Sequence, residues 1–250
     1  MTDRFFEYLL RLADDRLVLG HRLSEWCGHG PILEEDIALT NIALDLVGEA
    51  NLLLGRAATA ENAGRDADAL AFLRDVREYR NALIVELPKG DFGFTVARQF
   101  LFSVYALHQW EALSTSADDD LAGIAAKALK ETRYHVRHSA EWLVRLGDGT
   151  DESHGRVQDA LDELWRFTGE LFLTDDVEQA LVKQKLAVDS SSLFDAWKRD
   201  VTDVISRATL RMPGDVYMQR GGRSGMHTEH LGVMLAEMQV LPRTYPGAKW

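Results

Sequence analysis

The stretch Leu121–Thr150, LAGIAAKALKETRYHVRHSAEWLVRLGDGT, repeats apolar side chains at the period of an α-helix. Leu121, Ile124, Ala125, Ala128, Val136, Trp142 and Leu146 carry that repeat. It closes at Gly147 and Gly149 around Asp148, with Arg145 in the last turn, where a cation suits the negative end of the helix dipole. A helix of this length draws most of its stability from packing its apolar face, so it demands other helices. The same period supplies them. Phe5–Trp26 reads as a first helix, broken by Gly28, Gly30 and Pro31. Leu33–Leu54 reads as a second, apolar around most of its circumference and therefore expected at the centre. Asp66–Leu87 reads as a third, ended by Pro88, and Phe92–Ser114 as an aromatic-rich fourth. Five prolines in 250 residues leave room for all of them, and no Val/Ile/Thr-rich alternating run bounded by turns marks a strand.

The chain is therefore read as all-α. Helix, turn, helix, a longer crossover with its own helix, then helix, turn, helix is the connectivity of a ferritin-like bundle. Further helical segments follow at Ser153–Phe172, Asp175–Lys185, Ser190–Leu210 and Thr228–Leu241. No linker forces a second domain. The expectation is one ferritin-like domain over 1–250, with a core bundle at about 4–147 and extra C-terminal helices at about 153–241.

Charge narrows the function. A net charge of −12 and a pI near 5.1 argue against a nucleic-acid surface or an anionic membrane, both of which want a basic patch. The run Ile37–Leu54 contains Asp45 and Glu49 and is not read as a membrane span. With one cysteine, Cys27, and no visible signal peptide, a reducing cytoplasmic setting is expected.

Glu131, His135 and His138 project from nearly one face of the Leu121–Thr150 helix. A carboxylate and imidazoles on such a face suit a metal site in a bundle. Ferritin-like di-iron proteins take a Glu from each of two helices and a Glu-x-x-His from each of the other two, because residues three apart turn both ligands to one ion. No Glu in this sequence has a His three residues later. Glu131 is followed at that spacing by Tyr134, and His135 lies one further on. Hairpin geometry places Asp14 or Asp15, Asp45 or Glu49, Tyr105 or His108, and Glu131 with His135 near one level. Asp15, Asp45, Glu49, Glu131 and His135 are accordingly candidates for the remnant of a metal site, with no catalytic or metal-ligating residue assigned. Asn41, Asp45 and Glu49, four apart, fit a solvated stripe equally well. Buried acids need compensating cations, and Arg98, Lys127, Lys130 and Arg133 flank the right levels. The segment GGRSGMHTEH places Arg220 and Arg223 before a helix N-terminus, a candidate anion contact.

Longer strings are more specific. HRLSEWCGHGPILEEDIALTNIALDLVGEA, DALAFLRD, ARQFLF, AAKALKETRYHVRHSAEWLVRLGDGT and HTEHLGVMLAEMQVLPRTYPG closely resemble the structural, or C, subunits of bacterial phenylacetyl-CoA epoxidases, over essentially the whole chain. The resemblance implies a ferritin-like fold and a non-catalytic subunit of a monooxygenase complex that uses NADPH and O2 in aerobic phenylacetate degradation. It implies that the di-iron centre belongs to a catalytic A subunit, with which this chain pairs in a heterodimer that assembles further. A small B subunit and, transiently, a reductase carrying flavin and an iron–sulfur centre complete the system it implies, with no cofactor in this chain. The alternative is a self-standing di-iron carboxylate oxygenase with unusual ligands around Glu131 and His135.

Overall fold

The computed structural model describes residues 2–248. Ten α-helices occur among them, with no strand. Helix α1 (Thr2–Ser24) and α2 (Leu33–Glu61) form one antiparallel hairpin, and α5 (Phe92–Leu113) and α6 (Asp119–Gly147) form the other. The segment between them holds two short helices, α3 (Ala67–Phe72) and α4 (Leu83–Glu86). After α6 come α7 (Asp151–Trp165), α8 (Asp176–Val182), α9 (Phe194–Arg207) and α10 (Glu229–Thr244). The all-α, ferritin-like reading holds.

Capping explains the long-helix boundaries. Asp91 accepts from the Phe94 amide at 2.8 Å to start α5, and Asp118 accepts from the Leu121 amide at 2.9 Å to start α6. Arg56 of α2 grips Asp118 as well, which ties the first hairpin to the start of the second. Gly55 does not end α2. The Ala-rich RAATAE that follows continues the helix to Glu61, and Asn62 in the left-handed region (φ 54°) stops it.

Two sequence expectations change. The stretch Asp66–Leu87 is not one helix. It breaks into α3, a 3₁₀ turn at Val76–Glu78, extended backbone and α4. Its polar side chains are drawn off the local period by distant partners: Arg74 bonds Asp14 of α1, and Asn81 and His227 both bond Glu86. The second change concerns which helix is central. In α1 every residue from Tyr8 to Gly20 is buried, although Asp14, Asp15 and Arg16 lie in succession there. Three consecutive positions point around most of a helix, so α1 is enclosed on all sides. In α2 the outer face remains open: Ile37, Leu44, Val47 and Leu52 are 52, 64, 37 and 41% exposed.

The C-terminal helices close the bundle rather than forming a second core. Leu161, Leu164, Trp197 and Ile205 join the hydrophobic cluster built by α1, α5 and α6. Trp197 donates its indole N–H to the Leu101 carbonyl at 2.9 Å and stacks on Trp165 at 5.5 Å. Gly147 permits this closure, since a Cβ there would collide with the Ala208 carbonyl.

Candidate functional site: a guanidinium at the bundle centre

Arg16 stands at the middle of the bundle, fully buried. Its Nη2 donates to Gln109 Oε1 of α5 at 2.7 Å, and Gln109 passes the chain on to the Tyr105 hydroxyl at 2.8 Å. The guanidinium lies 4.3 Å from the Trp110 ring centre and 5.4 Å from that of Phe102, within cation–π range. Asp15 and Glu49 approach it at 3.8 and 3.5 Å. This is the compensating cation that a buried acidic cluster requires, and it comes from α1. The flanking candidates do other work. Arg98 donates to the carbonyls of Leu87 and Pro88, and burial lowers its guanidinium to about 9. Lys127 lies out on the surface, 3.6 Å from Glu131.

The remnant candidates separate into three places. Asp15 turns away from α2 to bond Arg223 and the Ala82 amide. Asp45 meets His135, with Oδ2 3.0 Å from Nε2. Glu49 is 2% exposed and neither of its carboxyl oxygens finds a hydrogen bond. Burial, aided by the neighbouring charges of Glu131 and Asp45, pushes Glu49 up to about 8 against the opposing pull of Arg16. Glu131 pairs with Lys127 and makes no hydrogen bond to His135, while His138 bonds Glu35 at 2.8 Å. Of the stripe Asn41, Asp45, Glu49, the first is exposed, the second half-buried and the third buried.

These donors do not fit a di-iron centre. His135 and His138 are each held by a carboxylate of α2, and the two buried aspartates of α1 are each spent on an arginine. A fixed positive charge occupies the centre where bridging carboxylates would neutralise metal charge. Among the described residues no group of three or more His, Cys, Asp and Glu is placed to hold a metal ion.

The GGRSG segment also differs from an open anion pocket. Arg223 reaches Asp15 with both terminal nitrogens, at 2.9 and 2.8 Å. Although burial works against its charge, Asp15 holds the guanidinium well above its usual range. The loop amides of Gly221 and Arg223 point at Glu170, whose other oxygen accepts from the Leu83 amide. So the anions in this nest are the protein's own. Gly222 lets the loop press on α4, since a Cβ there would collide with the Asn81 carbonyl. Arg220 stays exposed, on the rim of a cleft of about 350 Å³ with Leu173 and Tyr217.

One further buried pair escaped sequence reading. His227 sets Nδ1 2.7 Å from Glu86 Oε2 and Nε2 3.0 Å from the Tyr79 carbonyl. Both partners offer acceptor oxygens, an arrangement that favours the protonated ring. Burial opposes that charge, but Glu86 outweighs it and raises the ring above its ordinary value. For the Arg223–Asp15 and Arg74–Asp14 pairs the signal available in sequence was the DDR run within α1; His227–Glu86 had no such mark.

Comparison with known proteins gives this architecture its relatives. The chain is 50% identical over 243 residues to the C subunit of the 1,2-phenylacetyl-CoA epoxidase of Escherichia coli (strain K12), covering 97% of this chain and 98% of that protein. A family model described as phenylacetic acid catabolic protein matches residues 1–250. On a match that spans the whole sequence, the chain belongs to the phenylacetic acid catabolic protein family.

Proposed function

We propose that this chain is a non-catalytic, structural subunit of a phenylacetyl-CoA epoxidase. In this reading it pairs with a related catalytic subunit, supports it, and leaves the di-iron chemistry to that partner. The observation that carries the reading is Arg16. A buried guanidinium, tied to Gln109 and laid against Trp110, holds the centre of the bundle. Moving it aside to admit metal would break the Arg16–Gln109–Tyr105 chain and the packing of the guanidinium on Trp110. The relative's name, a subunit of the epoxidase, supports the same assignment.

Reconstitution tests it. The catalytic subunit, expressed without this chain, is expected to be insoluble or to lose most of its turnover, and to recover both on co-expression. A catalytic subunit that is soluble and fully active alone overturns the reading. Iron analysis of the chain after iron-replete expression is expected to give a stoichiometry near zero. About two irons per chain, lost on Glu131→Ala, would instead establish a self-standing enzyme.

A further inference from the structure

At mid-bundle, α1, α2 and α6 each turn one polar group toward the same buried neighbourhood, and each group is left short of a partner. Arg16 contributes from α1. Its Nη1 donates to the Leu12 carbonyl at 3.2 Å and its Nη2 to Gln109 at 2.7 Å. Its Nε is buried, has no hydrogen-bond partner among the described residues, and lies 3.5 Å from Glu49 Oε2. Glu49 contributes from α2, with both carboxyl oxygens unbonded. Glu131 contributes from α6. Its Oε1 looks outward to Lys127 at 3.6 Å, whereas its Oε2 is buried and unbonded. The charges of Glu131 and Asp45 act on Glu49, which sets the three acids in one neighbourhood.

Buried polar atoms are almost always bonded, to protein or to ordered water. The unpaired set here is one N–H donor and three carboxyl oxygens, and that inventory selects the ligand. A metal ion or an ammonium ion can accept nothing from Arg16 Nε and would stand beside a fixed guanidinium. An anion would face Glu49 and Glu131. Water meets both demands, since it accepts as well as donates, and a buried water typically makes about three hydrogen bonds. It suits either form of Glu49. Ionised, the carboxylate accepts from the water. Protonated, it donates its O–H to the water, and Glu131 accepts in both cases. Entry is open, because the Glu131 and Asp45 side chains remain 25 and 34% exposed.

We propose that Arg16 Nε, Glu49 and Glu131 Oε2 form a binding site for an internal water molecule that joins α1, α2 and α6. The Asp45–His135 pair flanks its mouth. The site is a property of this chain and is independent of what the chain assembles with.

High-resolution crystallography of the full chain tests it. Wild-type protein is expected to show one density peak about 2.9 Å from Arg16 Nε and about 2.8 Å from an oxygen of each acid. Glu49→Gln keeps hydrogen-bonding atoms in place and should retain the peak. Glu49→Met, similar in volume but apolar, should lose it. Glu131→Met should lose it as well, and serves if the first methionine variant does not fold. Absence of the peak from wild-type protein, with Glu49 and Glu131 bonded directly or left apart, overturns the proposal. So does a peak that persists in the methionine variants, since other groups would then hold it. Soaks with manganese and with bromide separate ions from water: an anomalous signal at the peak assigns it to a cation or an anion and overturns the water site.

Discussion

At the scale of the residue, Glu49 is a carboxyl held far from its ordinary form. Its carboxyl is lifted from 4.5 to about 8 by burial. The folded protein therefore keeps a proton that the unfolded chain releases above 4.5. A group raised in this way contributes its full stability below pH 4.5 and loses it as pH climbs to about 8. Glu49→Gln removes that loss, because the amide never ionises. Melting curves recorded across this window should show the variant gaining on the parent by about 1 kcal/mol per pH unit. Parallel slopes for the two proteins would show that Glu49 ionises normally. Neutral Glu49 also clarifies Arg16. Its guanidinium has Asp15 as a shared counter-charge and the faces of Trp110 and Phe102 as the remainder, so it is held by aromatic surface as much as by acid. The periodicity of α1 told nothing of this, since an arginine between two aspartates and a leucine is locally indistinguishable from a solvated residue.

At the scale of the element, the long helices were legible and the crossover was not. Asp91 and Asp118 mark their own N-termini by bonds three residues ahead, and apolar spacing fills in the rest. The 62–91 segment takes its shape from partners far along the chain. Arg74 bonds Asp14, and its carbonyl accepts from Gln239. Local periodicity carries no information about groups 60 or 165 residues away. Helix α2 misled in the opposite sense. Its all-round apolarity suggested a central position, whereas its outer face stays open in this chain, with Leu44 64% exposed. Gly48 and Gly55 on that helix lead to a prediction. Alanine at either should stabilise the chain by about 1 kcal/mol, because the added methyl meets nothing. Chemical denaturation measures the gain, and no gain in either variant would show that the added methyl is not free of cost.

At the scale of the whole molecule, one of the metal-site candidates, Asp15, belongs to a set of buried ion pairs that join distant parts of the chain. Arg223–Asp15, His227–Glu86 and Arg74–Asp14 span 208, 141 and 60 residues. Arg223→Ala strands Asp15 in a dry interior, a loss of about 3–5 kcal/mol. Asp15→Asn with Arg223→Met, which removes both charges, should recover much of it. A double variant no more stable than the single one would mean that Arg223 acts through its packing.

Arg223 has one more consequence, in the order in which the chain is made. Synthesis delivers Asp15 within the first residues and its counter-charge more than 200 residues later. Until then Asp15 has only the nearby Arg16 guanidinium and the Ala82 amide to offset its charge. A chain interrupted before residue 223 never gains the two-bond partner. The pair is thus a contact that only a chain translated nearly to its end can close.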